Sequence, residues 1–288
     1  MDSAGKVVIR SRYADSCEFS EGLACVQSGD PGWRWGYIDE TGREAIAPSF
    51  DSAGNFIQGR ALVKVGDRWG YIDPKGVAVI APQFDRAWDF SDGLARVRVA
   101  GGFGFIDRNG NWVIAPRFEV ASQFSEGRAR VRIEGQWGYI SPEGKPAIPA
   151  RFELADDFSE GLAAVRDHGQ YGYINRSGAF VITPAYMWGG AFSGGLAGVS
   201  VHHKLGFINA SGKMVVPPNF DDAGAFSEGV APVLVAGKWG YIGRTGKVVI
   251  PPHFRTALPF RNGLAAVSTG DVNSYIDHSG HYVWNPGY

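Results

Sequence analysis

The chain has 288 residues, 44% hydrophobic and 20% charged, which is enough apolar material for a packed core and excludes a disordered chain. Lysine and arginine number 28 against 29 acids, so no basic excess exists to neutralise a phosphate backbone, and nucleic-acid binding is not expected. No apolar run reaches the ~18–20 residues of a membrane span, so membrane insertion is not expected either.

Glycine stands out, with 41 residues spread along the chain. That is about twice its usual share and predicts many tight turns. The first residues lead straight into a strand-like Val7-Val8-Ile9 with no signal-peptide apolar region, so a cytoplasmic protein is expected. Cys17 and Cys25 are then expected as free thiols packed like small apolar groups, with a Cys17–Cys25 disulfide as the alternative that no sequence feature supports.

The next feature is a repeat. Trp35-Gly36-Tyr37-Ile38-Asp39 returns as Trp69-Gly70-Tyr71-Ile72-Asp73, then Phe103-Gly104-Phe105-Ile106-Asp107, and so on to Asn273-Ser274-Tyr275-Ile276-Asp277. The second residue of each copy falls every 34 residues, from Gly36 to Ser274. A second anchor keeps the same step: Phe56, Phe90, Phe124, Phe158, Phe192, Phe226 and Phe260. Phe19 precedes its copy by three residues more, which places an insertion around Ser28-Gly29-Asp30-Pro31. The chain divides into units 10–46, 47–80, 81–114, 115–148, 149–182, 183–216, 217–250 and 251–284, read as one repeat domain over 1–288. Residues 1–9 supply an extra copy of the last strand, able to close the array.

Within one unit, Leu94–Val99 alternates and reads as a strand, and Ala100-Gly101-Gly102 turns the chain. Residues 103–107 return, and Asp107-Arg108-Asn109-Gly110 forms a second turn with the Asp bonding backbone amides. Residues 111–114 form a third strand, which Pro116 is expected to end. Residues 118–124 read as a 3₁₀ turn or a short inner strand. Neither sheet face is wholly polar, so each unit must be covered on both sides, with large rings filling the space left by Gly and Ala in the next. The fold class is therefore all-β: eight 34-residue antiparallel meanders in a closed, eight-bladed, β-propeller-like ring, or alternatively an open twisted β-solenoid.

The recurring W-G-Y-I-D-x-x-G-x-x-V-I-x-P and F-S-E-G-L-A-x-V strings resemble the WG-repeat (KWG-repeat) family of bacterial proteins over about residues 5–284. That resemblance implies a β-rich repeat protein used as a binding or scaffolding surface.

No catalytic constellation emerges. Asp39, Asp73, Asp107 and Asp277 share a turn slot with Ser141, Asn175, Asn209 and Gly243, which suits a turn cap and not a general acid or base. Glu21, Glu126, Glu160 and Glu228 share theirs with Gln58, Asp92, Gly194 and Asn262 and also read as turn residues. His202-His203 falls at a hairpin turn with no metal-ligand spacing around it. The chain is read as a non-enzyme without metal or cofactor.

Residues that leave the template are the informative ones. Trp88, Met187 and Trp188 fall between the two aromatic anchors, and Trp112 occupies a slot that varies from Glu44 to Val248. Arg86 and Arg255 add variable charge in the same segments. These six are the candidate binding residues, with an unknown protein or peptide as partner and a monomer expected in preference to an oligomer. The alternatives are a self-assembling structural repeat, or a small-ligand or carbohydrate reader that uses aromatic clusters.

Overall fold

The structure is a computed structural model and describes residues 9, 12–29, 32–270 and 273–284. Apart from Ile9, the expected closing strand lies outside those residues, as do Asp30 and Pro31 of the insertion. The described chain is all β and forms eight four-stranded antiparallel sheets, each a simple meander with strands in chain order. It falls into two compact units, one spanning Val8–Ala150 and the other built from Arg151–Tyr288.

One sheet illustrates all of them. Its strands are Arg86–Ser91, Leu94–Val99, Gly102–Ile106 and Trp112–Phe118. The inter-aromatic segment is thus a short strand, reduced to two residues in most sheets, as in Val120–Ala121 and Trp188–Gly189.

The proline does not end the fourth strand. Pairing jumps from Phe105↔Ile114 to Phe103↔Phe118, so the strand bulges through Pro116 and then rejoins the ladder. The same jump separates Tyr37↔Ile46 from Trp35↔Phe50 and Tyr241↔Ile250 from Trp239↔Phe254. Proline is tolerated because a bulge on an edge strand needs no ladder hydrogen bond from it.

The bulge explains the glycine of the Trp-Gly pair. A Cβ on Gly172 would lie 2.6 Å from the Ile182 oxygen and 2.7 Å from the Pro184 nitrogen. Gly36, Gly70, Gly104, Gly138, Gly206 and Gly240 sit equally close to their own fourth strands.

The turns follow their sequences. Glu21-Gly22 and Ala100-Gly101 each have two consecutive positive φ values, which is the pattern of a type I′ hairpin. Asp39 Oδ1 accepts the amides of Thr41 and Arg43 and the Thr41 hydroxyl, and Asp107 and Asp277 repeat the arrangement. These bonds, foremost those from the Thr41, Asn111 and Ser279 side chains, hold the three carboxyls below their ordinary pKa.

Successive sheets interlock through recurring contacts. Rings meet rings instead of filling gaps left by small residues: Tyr71 packs against Phe90 at 5.0 Å and Tyr173 against Phe192 at 5.0 Å. The small gaps at the turn glycines take an isoleucine, such as Ile80 against Gly110. The Tyr37, Tyr71, Tyr173 and Tyr241 hydroxyls donate to carbonyls of the following sheet at 2.7–2.9 Å. Burial pushes the pKa of all four upward.

The Ser-Glu-Gly turn is a latch. Ser91, Ser159, Ser193 and Ser227 each donate to the carbonyl of the next anchor Phe at 2.6–2.7 Å. The Glu21, Glu160 and Glu228 carboxylates accept the amides of Gly59, Gly195 and Gly263 in the following turn. Gln58 and Asp92 do the same for Gly93 and Gly127. These residues are turn formers, as expected, and they also tie one repeat to the next.

The cysteines depart from expectation. Cys17 and Cys25 form a disulfide, with 5.1 Å between their Cα atoms. They face each other across the first two strands, where the Cys17 amide donates to the Cys25 carbonyl at 2.9 Å. The alternative to free thiols holds, because the meander sets the two cysteines opposite each other.

Two predictions follow from this packing. Gly172→Ala lowers stability by about 1–3 kcal/mol, since backbone on both sides has to move; urea titration measures it. Reducing the disulfide costs roughly 2–3 kcal/mol for so short a loop, seen as a lower urea midpoint with dithiothreitol than without.

Candidate functional site

The six sequence candidates lie on three sheets. Arg86 and Trp88 belong to the first strand of the third sheet, and Trp112 opens that sheet's fourth strand, at the opposite edge. Trp88 is half-buried: the Arg96 guanidinium lies 3.8 Å from its ring centroid, and Phe103 packs at 5.7 Å. Trp112 is exposed, with its ring edge-on to Phe84 at 6.0 Å and its Cζ3 against Gly104. Arg86 is exposed and pairs across the strands with Arg98. Arg255 is exposed, and its amide donates to the Ser268 carbonyl. The structure therefore does not gather Arg86, Trp88 and Trp112 into one site.

Met187 and Trp188 do share one. They are 53% and 44% exposed. The Met187 amide donates to the Ser200 carbonyl, and Trp188 pairs with Ser200 across the first two strands of the sixth sheet. The Trp188 ring lies over Gly190 and Gly198: its Cη2 would be 2.7 Å from a Cβ on Gly190, and its Cζ3 would be 3.5 Å from one on Gly198.

These two glycines occupy a cross-strand slot that other sheets fill with Cys17 and Cys25, Trp88 and Arg96, or Ser122 and Arg130. In the sixth sheet the slot is empty of side chains, which makes room for the indole.

The hairpin beside it is also unusual. In four other sheets the residue after the aromatic is an acid that caps this hairpin. Asp51, Asp85, Glu153 and Asp221 accept the amides of Gly66, Ala100, Gly169 and Ala236 at 2.7–3.1 Å. Met187 stands in that slot and has no oxygen to offer. The hairpin itself is His202-His203, with φ of 48° and 63°, where four other repeats place glycine second, at Gly101, Gly135, Gly169 and Gly237. The left-handed conformation costs a β-carbon-bearing residue roughly 1–2 kcal/mol. Met187, Trp188, His202 and His203 thus form one exposed patch of thioether, indole and imidazole, on a hairpin that has given up its cap and its glycine.

Met187 and Trp188 stand out in the sequence as candidate anchors, whereas His203 is weighed there only as a metal ligand and Gly190 and Gly198 draw no notice. The signal was present: aligned at the 34-residue step, His203 falls where Gly101, Gly135, Gly169 and Gly237 stand.

Restoring the template here stabilises the fold. Met187→Asp with His203→Gly is expected to gain about 1 kcal/mol, from a new amide cap and relief of the left-handed histidine. A urea midpoint below that of the wild type contradicts this.

A family model described as WG containing repeat matches residues 35–69, 69–102, 103–137, 137–170, 171–202, 206–239 and 239–272. No curated protein matches the chain. Among solved structures, the crystal structure of a eukaryotic initiation factor has a TM-score of 0.61 at 12% identity, covering 94% of this chain and 86% of that one. The dihydro-heme d1 dehydrogenase NirN gives 0.51 at 15% identity, with 95% and 74% covered. Hsv2p of Kluyveromyces lactis gives 0.46 at 11% identity, with 80% and 92% covered. At these identities the likeness is one of fold, and it is propeller-like. Seven consecutive family matches, on sheets whose Trp-Gly glycine is required by the strand crossing above it, make this chain a member of the WG-containing repeat family.

Proposed function

We propose that the protein is a non-catalytic binding module that recognises a protein or peptide through the Met187–Trp188 patch of the sixth sheet. The carrying observation is that several template positions change together around one exposed indole. Its ring rests on Gly190 and Gly198, and beside it Met187 and His203 replace a capping acid and a turn glycine. Large flexible or aromatic groups of this kind anchor protein interfaces. The repeat fold supports the reading in general terms, because stacked sheets hold such a patch on rigid strands. The recurring Asp and Glu residues of the turns are engaged by turn amides and inter-repeat latches, which supports a non-catalytic role for them.

Compartment bears on the partner. A cytoplasmic protein was expected with two free thiols; the bonded Cys17–Cys25 pair fits an oxidising compartment better.

The test is affinity capture from the source organism, followed by mass spectrometry, with the wild type and Trp188→Thr compared. Threonine stands naturally in this slot at position 256, so the fold is retained. The partner is expected to be lost from the variant, with affinity down by about 2 kcal/mol or more for an anchor tryptophan. Undiminished capture by Trp188→Thr refutes the patch as the binding site.

A further inference from the structure

A second feature lies in the fourth sheet, apart from the Met187–Trp188 patch. There a cavity of about 420 Å³ is lined by Phe118, Val131, Gly138, Pro146, Ala150 and Arg117, among others. Its volume is in the range of small-molecule pockets, roughly 300–1,000 Å³.

The other repeats show what shape it has. In the third sheet the first residue of the fourth strand is Trp112. Its ring covers Gly104 of the Trp-Gly slot and meets Phe84 edge-on at 6.0 Å. In the fifth sheet the same position is Phe180, edge-on to Phe152 at 6.2 Å. The fourth sheet keeps the floor, Gly138, and the edge partner, Phe118. It places Pro146 where those two sheets start a ring. It also has Ala150 where Pro48, Pro82, Pro116, Pro184, Pro218 and Pro252 stand. The second sheet has a small residue at the first position, Ala78, but keeps its Pro82. Both losses coincide only in the fourth sheet among the first seven, and there they leave the seat of an aromatic ring without its ring.

One charged group stands at this seat. Arg117 Nη2 donates to the Gly144 carbonyl at 2.6 Å, and the guanidinium lies 5.0 Å from the Phe118 ring centroid. Among the described residues no carboxylate pairs with Arg117. A guanidinium carries five N–H donors and binds carboxylates in a fork geometry, so donors remain for a ligand.

We propose that this cavity binds a small aromatic carboxylic acid, with a ring of phenyl or indole size on Gly138 against Phe118 and a carboxylate on Arg117.

The test titrates the full chain with indole-3-acetate and with uncharged indole, by calorimetry and by methyl NMR. Saturable binding of indole-3-acetate is expected, with shifts centred on the Val131 and Ile148 methyls. Pro146→Trp and Pro146→Phe fill the seat with the rings found at positions 112 and 180, and either one that folds is expected to abolish binding. Arg117→Gln, the residue found at position 83, is expected to weaken indole-3-acetate about tenfold and leave indole unchanged. The proposal is overturned by no saturable binding at millimolar ligand, by shifts centred elsewhere, or by full binding in a folded Pro146 variant. Equal losses of the acid and of indole in Arg117→Gln overturn the carboxylate assignment.

Discussion

The structure depends on one close approach of backbone to backbone. The fourth strand of each complete sheet bulges directly over the glycine of the Trp-Gly pair, with backbone atoms 2.5–2.8 Å from where a Cβ would sit. The bulge absorbs two extra residues and lets the strand rejoin its neighbour at the aromatic, as in Phe103↔Phe118. One residue later the chain starts the next sheet, at Val120. The crossing therefore sets where each sheet ends and where the next begins. A side chain at the glycine would displace the bulge, the aromatic beyond it and the hand-over to the following repeat.

Energetic coupling follows the same one-dimensional logic. Six sheets contribute a Tyr or Phe from the third strand, and the next contributes the anchor Phe that meets it. The serine and carboxylate of the Ser-Glu-Gly turn reach forward to the next turn. The residues at the carboxylate position accept φ values near 50°, an unfavourable region for side chains, because the latch needs a carboxylate or amide oxygen at the hairpin apex. A template position is thus constrained by two sheets at once. Freedom remains at the first-strand slots and at the entry to the fourth strand, and the departures from the repeat collect there.

Much of this was legible in the sequence. The 34-residue step, the alternating second strand and the Asp-x-x-Gly turn all depend on local geometry and survived intact. What escaped required knowing what lies opposite. Pro116 was read as a terminator because its missing N–H argues against pairing; the bulge that excuses it exists only once Phe118 finds Phe103. Cys17 and Cys25 looked separate until the meander placed them face to face. Glu160 looked like a local turn residue because its partner amide, at Gly195, is a whole repeat away. At the candidate site, Met187 and Trp188 stood out by residue type. Gly190 and Gly198 did not, since a chain rich in glycine hides two that matter for what they omit.

The two sites differ in how a repeat acquires function. In the sixth sheet material is added: an exposed indole and thioether, with a histidine held at φ 63°. A hairpin that lacks both its acid cap and its glycine is less stable than its siblings, and sequences keep such local conflicts mainly where they serve something other than folding. In the fourth sheet a space stands open that two other sheets fill. Pro146 and Ala150 are too small to occupy the space that Trp112 or Phe180 occupies, yet the floor and edge of that space are unchanged. An unfilled ring seat forfeits the dispersion contacts that its lining would otherwise make. In the sixth sheet the template defines the stable arrangement and the deviation marks where stability has been exchanged for a surface; in the fourth, the rings of two other sheets show what another molecule can complete.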